Sequence, residues 1–437
     1  MASALLVSAG AFAFSPCPRG MPASDQARPS CQKEWTLLVY MAADNDLTAY
    51  APADLQEMTR GKAGDNDESV DIVFELDTDQ NDGSQRGAVV HGGVREMGRL
   101  PEQNSGNAST LESFLGWALR SFPSKHYAVV LWGHGNGWGQ TAAGVQPLGQ
   151  GRAGNGIGFD ATSRSWMTVP KVREALDGAR AAYLDGAPFD LYAADACLMQ
   201  TAEVIWELKD SANFVFGSVP VMDFQGLPYG MLVRRFAQGA YDDENGALKL
   251  AGELPEMIAR TYRTRNPKIM ASAISTGFLQ QNGRQGNWAR AFDDLGEAGL
   301  AWLAEDSFRS LDFSEVLAEA NAYQKNTYDM YQFLVAWTGR LSESDATESS
   351  EELRGAIRRL QDIVLSSVVN ATYGDFYLRT PVAGWARGLS LWIPLNSVEH
   401  RAGFSSLKTS SLYRSSGRDG QLNGWARFLD KIYAPRP

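Results

Sequence analysis

From Trp35 onward the chain alternates between short apolar runs and stretches whose apolar residues recur every three to four positions. Thr36 to Tyr40 (TLLVY), Ile72 to Leu76 (IVFEL), Ala88 to His91 (AVVH), Tyr127 to Trp132 (YAVVLW), Phe189 to Ala193 (FDLYA) and Phe214 to Gly217 (FVFG) have the length and residue types of strands. Leu47 to Met58, Thr110 to Arg120, Val169 to Arg180, Ala202 to Leu208 and Leu248 to Thr264 carry helical spacing, and Pro170 suits a first helical turn. Strands that are apolar throughout, rather than alternating, must be covered on both faces. The pattern therefore predicts an α/β fold, a mostly parallel sheet flanked by helices.

A further strand is expected at Ala271 to Ser275. Beyond it Asn287 to Leu341 reads as mostly helical, Ser342 to Glu352 as a polar acidic spacer, and Leu353 to Val369 as a helix. Leu389 to Pro394 (LSLWIP) reads as a late strand and Asn423 to Ile432 as a closing helix. No tandem repeat is present. The predicted organisation is a leader over 1–34, a core over 35–280, and a mainly helical region over 281–437 that returns a strand near 389–394.

Composition narrows the partners. Apolar residues make up 44% of the 437 positions and charged residues 21%, the profile of a folded protein and not of a disordered tail or a collagen. With 40 Lys and Arg against 51 Asp and Glu, the formal charge of -11 repels phosphate backbones, so nucleic acid is not an expected partner. No window of 18 apolar residues occurs, so no membrane span is expected. Oligomeric state is left open.

Ala2 to Phe14 (ASALLVSAGAFAF) has the length and apolarity of the h-region of a secretory signal, although a basic n-region is missing. It predicts export to the periplasm or the extracellular medium. There Cys17 and Cys31 can pair, leaving Cys197 as the lone thiol.

Several patterns lack their required context. Gly149, Gly151 and Gly154 spell G-x-G-x-x-G, but Pro147 precedes them and Asn155-Gly156 follows, so a flexible loop is expected and not a dinucleotide site. Asp77, Asp79, Asn81 and Asp82 start like a calcium loop. Ala88 stands where a bidentate glutamate is needed, so this reads as a hairpin turn. C-x-x-C, H-E-x-x-H and G-x-S-x-G are absent, and four histidines (His91, His126, His134, His400) supply no zinc cage. No cofactor is expected.

Two strand ends remain. Tyr127 to Trp132 runs into Gly133-His134-Gly135, and Phe189 to Ala194 runs into Asp195-Ala196-Cys197. In a parallel sheet the carboxyl ends open on one edge, where ligands bind, so His134 and Cys197 should share it. A thiol with its usual pKa of about 8.5 needs a neighbouring base to act as a nucleophile, and an imidazole can supply one. Gly135 leaves its N–H accessible to a substrate carbonyl. The Cys197 N–H, at the start of the following helix, could complete an oxyanion hole. A cysteine after an apolar strand is often an inert core residue, and a histidine there can simply cap the strand; their joint placement favours chemistry.

With these residues the chain resembles the clostripain family of cysteine endopeptidases, related in fold to caspases, legumains and gingipains. The shared stretches are WTLLVYMAADNDL (Trp35 to Leu47), VVLWGHGNGW (Val129 to Trp138), GIGFD (Gly156 to Asp160), DACLMQTAEV (Asp195 to Val204) and GLSLWIP (Gly388 to Pro394), with histidine and cysteine 63 residues apart. The resemblance implies a caspase-like fold, Cys197 as nucleophile and His134 as general acid/base. It also implies Asp195 as an acidic wall for an Arg or Lys before the scissile bond, a peptide or protein substrate, and self-cleavage between histidine and cysteine, for which Arg152 is the matching candidate. Asp195 has an equal alternative, that of bracing the turn beneath Cys197.

The departures concern specificity. The family's acidic stretch after Phe216-Gly217-Ser218 is replaced by Val219-Pro220-Val221, and Gly226-Leu227-Pro228-Tyr229 stands for its Gly-Trp-Asp-Tyr, which leaves Asp223 as the second acidic pocket candidate. The calcium requirement of the type member finds no recognisable loop, so calcium is implied by the resemblance alone. Two other functions fit the residues: another thiol acyl-transfer enzyme, an amidase or transpeptidase, or a non-catalytic secreted binding protein that keeps the fold.

Overall fold

The computed structural model describes residues 31–63, 70–80, 83–138, 156–280, 288–306, 308–320, 322–324, 326–341, 347–378, 384, 386–415 and 421–434. In chain order the strands are β1 (Lys33–Ala43), β2 (Val70–Thr78), β3 (Gln85–Val90), β4 (Gly93–Arg99), β5 (Ser124–Trp132), β6 (Ile157–Asp160), β7 (Ser165–Met167), β8 (Phe189–Asp195), β9 (Ala212–Ser218), β10 (Met270–Ser275), β11 (Ala322–Gln324), β12 (Thr327–Asp329), β13 (Val368–Tyr373) and β14 (Ser390–Trp392). Helices α1 (Ala51–Lys62), α2 (Ala108–Ser121), α3 (Val169–Tyr183), α4 (Ala202–Leu208), α5 (Tyr229–Ala237) and α6 (Gly246–Tyr262) connect them in the first part of the chain.

Among the described residues nine strands form one sheet, in the order β13-β10-β9-β8-β5-β1-β2-β3-β4. Its centre, β9-β8-β5-β1-β2, is parallel, and the two outer pairs are antiparallel. This is the mostly parallel α/β sheet that the apolar runs predict.

Alternation along each strand sorts side chains to two faces. Leu38, Tyr40, Ala42, Val129, Leu131 and Tyr192 join one core with residues of α2, α3 and the C-terminal helices. Leu37, Val39, Met41, Val130, Trp132 and Leu191 join another with α1, α5 and α6. Each fully buried Leu, Val or Phe contributes roughly 1.5–3 kcal/mol relative to exposure, so these two layers hold the sheet together.

The strands outrun the apolar runs that reveal them, because buried charges at their ends find partners. Lys33 Nζ meets Asp71 Oδ1 at 2.9 Å, and Arg86 Nε meets Glu75 Oε2 at 2.6 Å, so β1 starts earlier and β3 is half polar. Strand β4, with most of its side chains exposed or half-buried, is a charged edge strand that apolar periodicity does not detect. Strand β13 occupies the end of the expected helix Leu353 to Val369, which stops at Ser367 where β13 pairs with β10. The strand expected at Leu389 to Pro394 forms β14. It lies in a separate sheet, β11-β12-β14, and β13 is the segment that the C-terminal region adds to the main sheet.

Strand β2 lies on one side of β1, and the chain then crosses through the β3–β4 hairpin and α2 to place β5 on the other. The carboxyl ends of β1 and β5 therefore flank the point where the strand order reverses, which is where a crevice opens in such sheets.

Candidate active site

Strands β5 and β8 pair in parallel with Trp132 beside Asp195. His134 and Cys197 each lie two residues beyond that pair, so the register carries both onto the same edge. The Gly133 N–H donates to the Asp195 carbonyl at 3.2 Å, and both side chains line one cleft with Leu47, Trp132, Asp195, Met222, Asp223 and Phe224.

The glycine after the histidine is required by close approach. A Cβ on Gly135 would stand 2.3 Å from the Cys197 carbonyl oxygen and 2.9 Å from the Ala196 Cβ. The loop is pinned from its other side by Gly158 N–H donating to the His134 carbonyl at 2.9 Å and Asn136 N–H donating to the Gly156 carbonyl at 2.8 Å. Neither bond uses the Gly135 N–H.

The turn that carries the thiol differs from the expected strand-to-helix junction. Helix α4 begins at Ala202, capped by the Thr201 hydroxyl, so Cys197 is not at its amino end. Instead Leu198 adopts φ +63, with its N–H on the Pro220 carbonyl at 3.1 Å. A buried leucine in the left-handed region is strained, by about 1–3 kcal/mol, and such strain persists only where surrounding structure enforces it. The α4 dipole therefore does not act directly on the thiol.

The Cys197 side chain is half-buried and its Sγ accepts the Met222 N–H at 3.3 Å. Burial pushes the thiol up to about 11; the Met222 N–H pulls the other way, and the Asp195 charge adds to the rise. At rest, therefore, the sulfur is a protonated thiol. His134 turns Nε2 toward Asp46, 2.6 Å from Oδ1, which leaves Nδ1 as the ring nitrogen available to another partner. Asp46 lies in the shared stretch after β1, but nothing in its spacing marked it as a partner of His134.

Asp195 does two things at once. Its Oδ2 accepts the Leu227 N–H at 3.0 Å and the Tyr229 hydroxyl at 2.8 Å, which braces the loop over it, and the residue also lines the cleft. Gly226, at φ +59, leaves no room for a Cβ, which would sit 2.6 Å from the Asp195 carboxylate. Burial raises Asp195 to about 6 against those two hydrogen bonds. Asp54, on α1, accepts the Trp132 indole N–H at 2.7 Å and is pushed up to about 8, first by burial and then by Asp195. Asp223 is half-buried and lines the same cleft. Asp54 and the Tyr262 hydroxyl on the Gly226 carbonyl escaped sequence reasoning, because helices α1 and α6 bring them in from distant segments, and Tyr229 enters that reasoning only as part of a motif and not as a partner of Asp195.

The cleft has room for about 40 Å³, small beside the roughly 300 Å³ or more of a typical ligand pocket. Phe224, exposed, is part of its lining and stacks on Tyr50, with ring centroids 5.6 Å apart.

Other sequence candidates fall elsewhere. Arg152 and Cys17 lie outside the described residues; Cys31 is disulfide-bonded and Cys197 is a free thiol. His126 stacks on Trp35 and meets Asp190 at 3.0 Å, at the amino end of its strand, His91 lies in the β3–β4 turn, and His400 is in the helix Ser397–Leu407. Carboxylates that could hold a cation, those of Asp44, Glu102 and Asp160, converge outside the lining of the cleft. Among the described residues no helix is long and apolar enough to cross a membrane.

A family model described as the Clostripain family matches residues 39–411. Among solved structures, an inactive zymogen C11 protease from Parabacteroides distasonis is 18% identical, with a TM-score of 0.62 over 87% of this chain and 97% of that one. A secreted C11 cysteine protease from Bacteroides thetaiotaomicron, in complex with an irreversible peptide inhibitor, is 21% identical, with a TM-score of 0.57 over 87% and 98%. The search of curated proteins gave no match.

Proposed function

The chain belongs to the clostripain family of cysteine peptidases, and from that premise we propose that it is an endopeptidase using Cys197 as nucleophile and His134 as general acid/base. Peptide or protein is the substrate class. One observation carries the assignment of residues: imidazole and thiol line a single cleft, together with the carboxylates of Asp195 and Asp223, and its described lining includes no Lys or Arg.

As the sulfur bonds to the carbonyl carbon, its proton passes to His134 and the carbonyl electron pair moves onto oxygen. That oxygen is received by the N–H groups of Gly135 and Cys197. The tetrahedral adduct then expels the amine, which takes the proton from His134 and leaves a thioester on Cys197. Water, deprotonated by His134, releases the acid and restores the thiol. Asp46 orients the ring from the far side, as the third group of a triad does. The raised thiol pKa makes this proton transfer part of the attack, and not a pre-formed ion pair.

The acidic lining favours a basic residue before the cut, through a charge-assisted pair. Fluorogenic peptides ending in Arg, Lys or neutral residues test this. Asp195→Asn is expected to lower kcat/KM for the basic substrates by roughly 30- to 1000-fold, about 2–4 kcal/mol, with little change for neutral ones. An equal loss for all substrates would assign Asp195 to bracing the Gly226 loop and remove the specificity reading. Product analysis by mass spectrometry also separates hydrolysis from acyl transfer.

Export belongs to the same proposal. It rests on the Ala2 to Phe14 run and on the disulfide at Cys31, which suits an oxidising compartment. N-terminal sequencing of the secreted material should show a mature start beyond Phe14 and a second terminus at Ala153 after cleavage at Arg152. An intact Met1 in active protein would dismiss the first, and an active chain uncut after Arg152 the second.

A further inference from the structure

We infer that Tyr50 and Phe224 form an apolar subsite on the rim of the cleft, which receives a large apolar side chain of the peptide one or two residues upstream of the residue at the cut. The inference rests on the peptidase reading above and adds a second determinant of specificity to it.

Two loops bring the rings together. Tyr50 is the N-cap of α1: its carbonyl accepts the Ala53 N–H at 3.0 Å and the Asp54 N–H at 3.2 Å, and its own N–H donates to the Leu47 carbonyl at 2.9 Å. Phe224 lies in the loop after β9, inside a turn closed by the Gly226 N–H on the Asp223 carbonyl at 2.9 Å and the Gln225 N–H on the Asp223 carboxylate at 3.2 Å. That loop is anchored on both sides of the ring. Before it, the Met222 N–H donates to Cys197 Sγ at 3.3 Å; after it, the Leu227 N–H donates to Asp195 Oδ2 at 3.0 Å. Hydrogen-bonded backbone therefore places Phe224 relative to both the thiol and the acidic wall.

A single exposed apolar residue is ordinary on a protein surface. Phe224 differs in lining the cleft that holds His134 and Cys197, and in lying 15° from parallel with a second ring while staying 54% exposed. The uncovered part of such a pair is apolar area that a ligand can bury, and a further ring or aliphatic chain packs against it offset or edge-on. Leu47 and Met222, from the same two loops, continue the apolar lining toward the thiol, and Asp195 and Asp223 supply the acidic part.

The occupant follows from the chemistry of the cut. With room for about 40 Å³ the cleft takes no more than one side chain, so the flanking residues of a peptide lie along its rim. The leaving amine faces His134, from which it takes a proton, so the acyl part extends from Cys197 the other way, toward the loop whose Met222 N–H reaches the sulfur. An extended peptide turns successive side chains to opposite sides, so the first or the second residue upstream meets the ring pair. Asp223, next to Phe224, disfavours an acidic residue at that position.

Fluorogenic peptides with the residue at the cut held constant, and Phe, Leu, Ser or Asp placed one or two residues upstream, test the subsite. At one of the two positions Phe should exceed Ser in kcat/KM by roughly 10- to 30-fold, and Asp should be poorest. The gain should lie mostly in KM, because this contact is the same before and during bond breaking. The Phe-to-Ser ratio should fall below threefold in Phe224→Ala and be kept in Phe224→Trp. The same peptides, labelled, are titrated onto full-length Cys197→Ala protein by fluorescence anisotropy, where Kd should show the same preference and the same loss. No preference for Phe in binding, or one that survives Phe224→Ala, overturns the subsite. If binding shows the preference and the unsubstituted protein cuts none of the peptides, the subsite stands and the peptidase reading falls. A dimer in sedimentation that Phe224→Ala dissociates would assign the ring to a second copy of the chain and overturn the subsite as well.

Discussion

His134→Ala should lower kcat/KM by about 10⁴-fold or more, Cys197→Ala should bring it to background, and the double variant should be no worse than the second alone. Two groups that act on one proton and one carbonyl cannot be removed additively. Asp46→Asn should cost far less, roughly 10- to 100-fold, mostly in kcat and with an altered pH profile, because it positions the ring without touching substrate. Steady-state kinetics on one peptide series reads all four. Labelling of Cys197 by iodoacetamide adds a measurement independent of turnover. Its rate in the resting protein should keep rising beyond pH 9, since burial holds the thiol near 11, and it should fall when His134 is removed. A labelling rate indifferent to His134 would point to the binding protein that merely keeps the fold.

What the sequence made legible, and what it hid, follows from the range of the interactions involved. Continuous apolar runs at Thr36 to Tyr40 and Tyr127 to Trp132 require a sheet covered on both faces. A parallel sheet requires a common edge for His134 and Cys197, and the pairing of Trp132 with Asp195 provides it. Asp46 was invisible because its bond to His134 joins positions 88 residues apart, with no local pattern to mark it. The expected helix at Cys197 starts instead at Ala202, since the chain first makes a left-handed step at Leu198 that favourable local propensity would not suggest. Strand β13 was hidden inside a helical period because its pairing with β10 is decided by tertiary contact and not by its own sequence. The acidic residues are the sharpest case. In the sequence Asp54 and Asp77 read as ordinary helical and turn residues, and only the folded chain, which puts Asp77 within β2, shows that each is buried beside other carboxylates.

Gly135→Ala is expected to lower kcat/KM by roughly 100- to 1000-fold while the protein still folds, with a destabilisation of about 1–3 kcal/mol. The added methyl would stand 2.3 Å from the Cys197 carbonyl oxygen, against ordinary contacts of 3.4 Å and more, so the two loops must separate by about 1 Å. Displacement on that scale removes reacting groups from attack geometry, and here it also moves the N–H proposed to receive the oxyanion. The loss should therefore appear in kcat with KM nearly unchanged. Gly98→Ala is the matched control: it lies on the edge strand β4 with nothing within 4 Å of an added Cβ, and it should leave activity unchanged. If Gly135→Ala stays within threefold of its parent, the histidine loop tolerates separation from the thiol loop, and the contact that brings the imidazole and Cys197 into one cleft does no catalytic positioning.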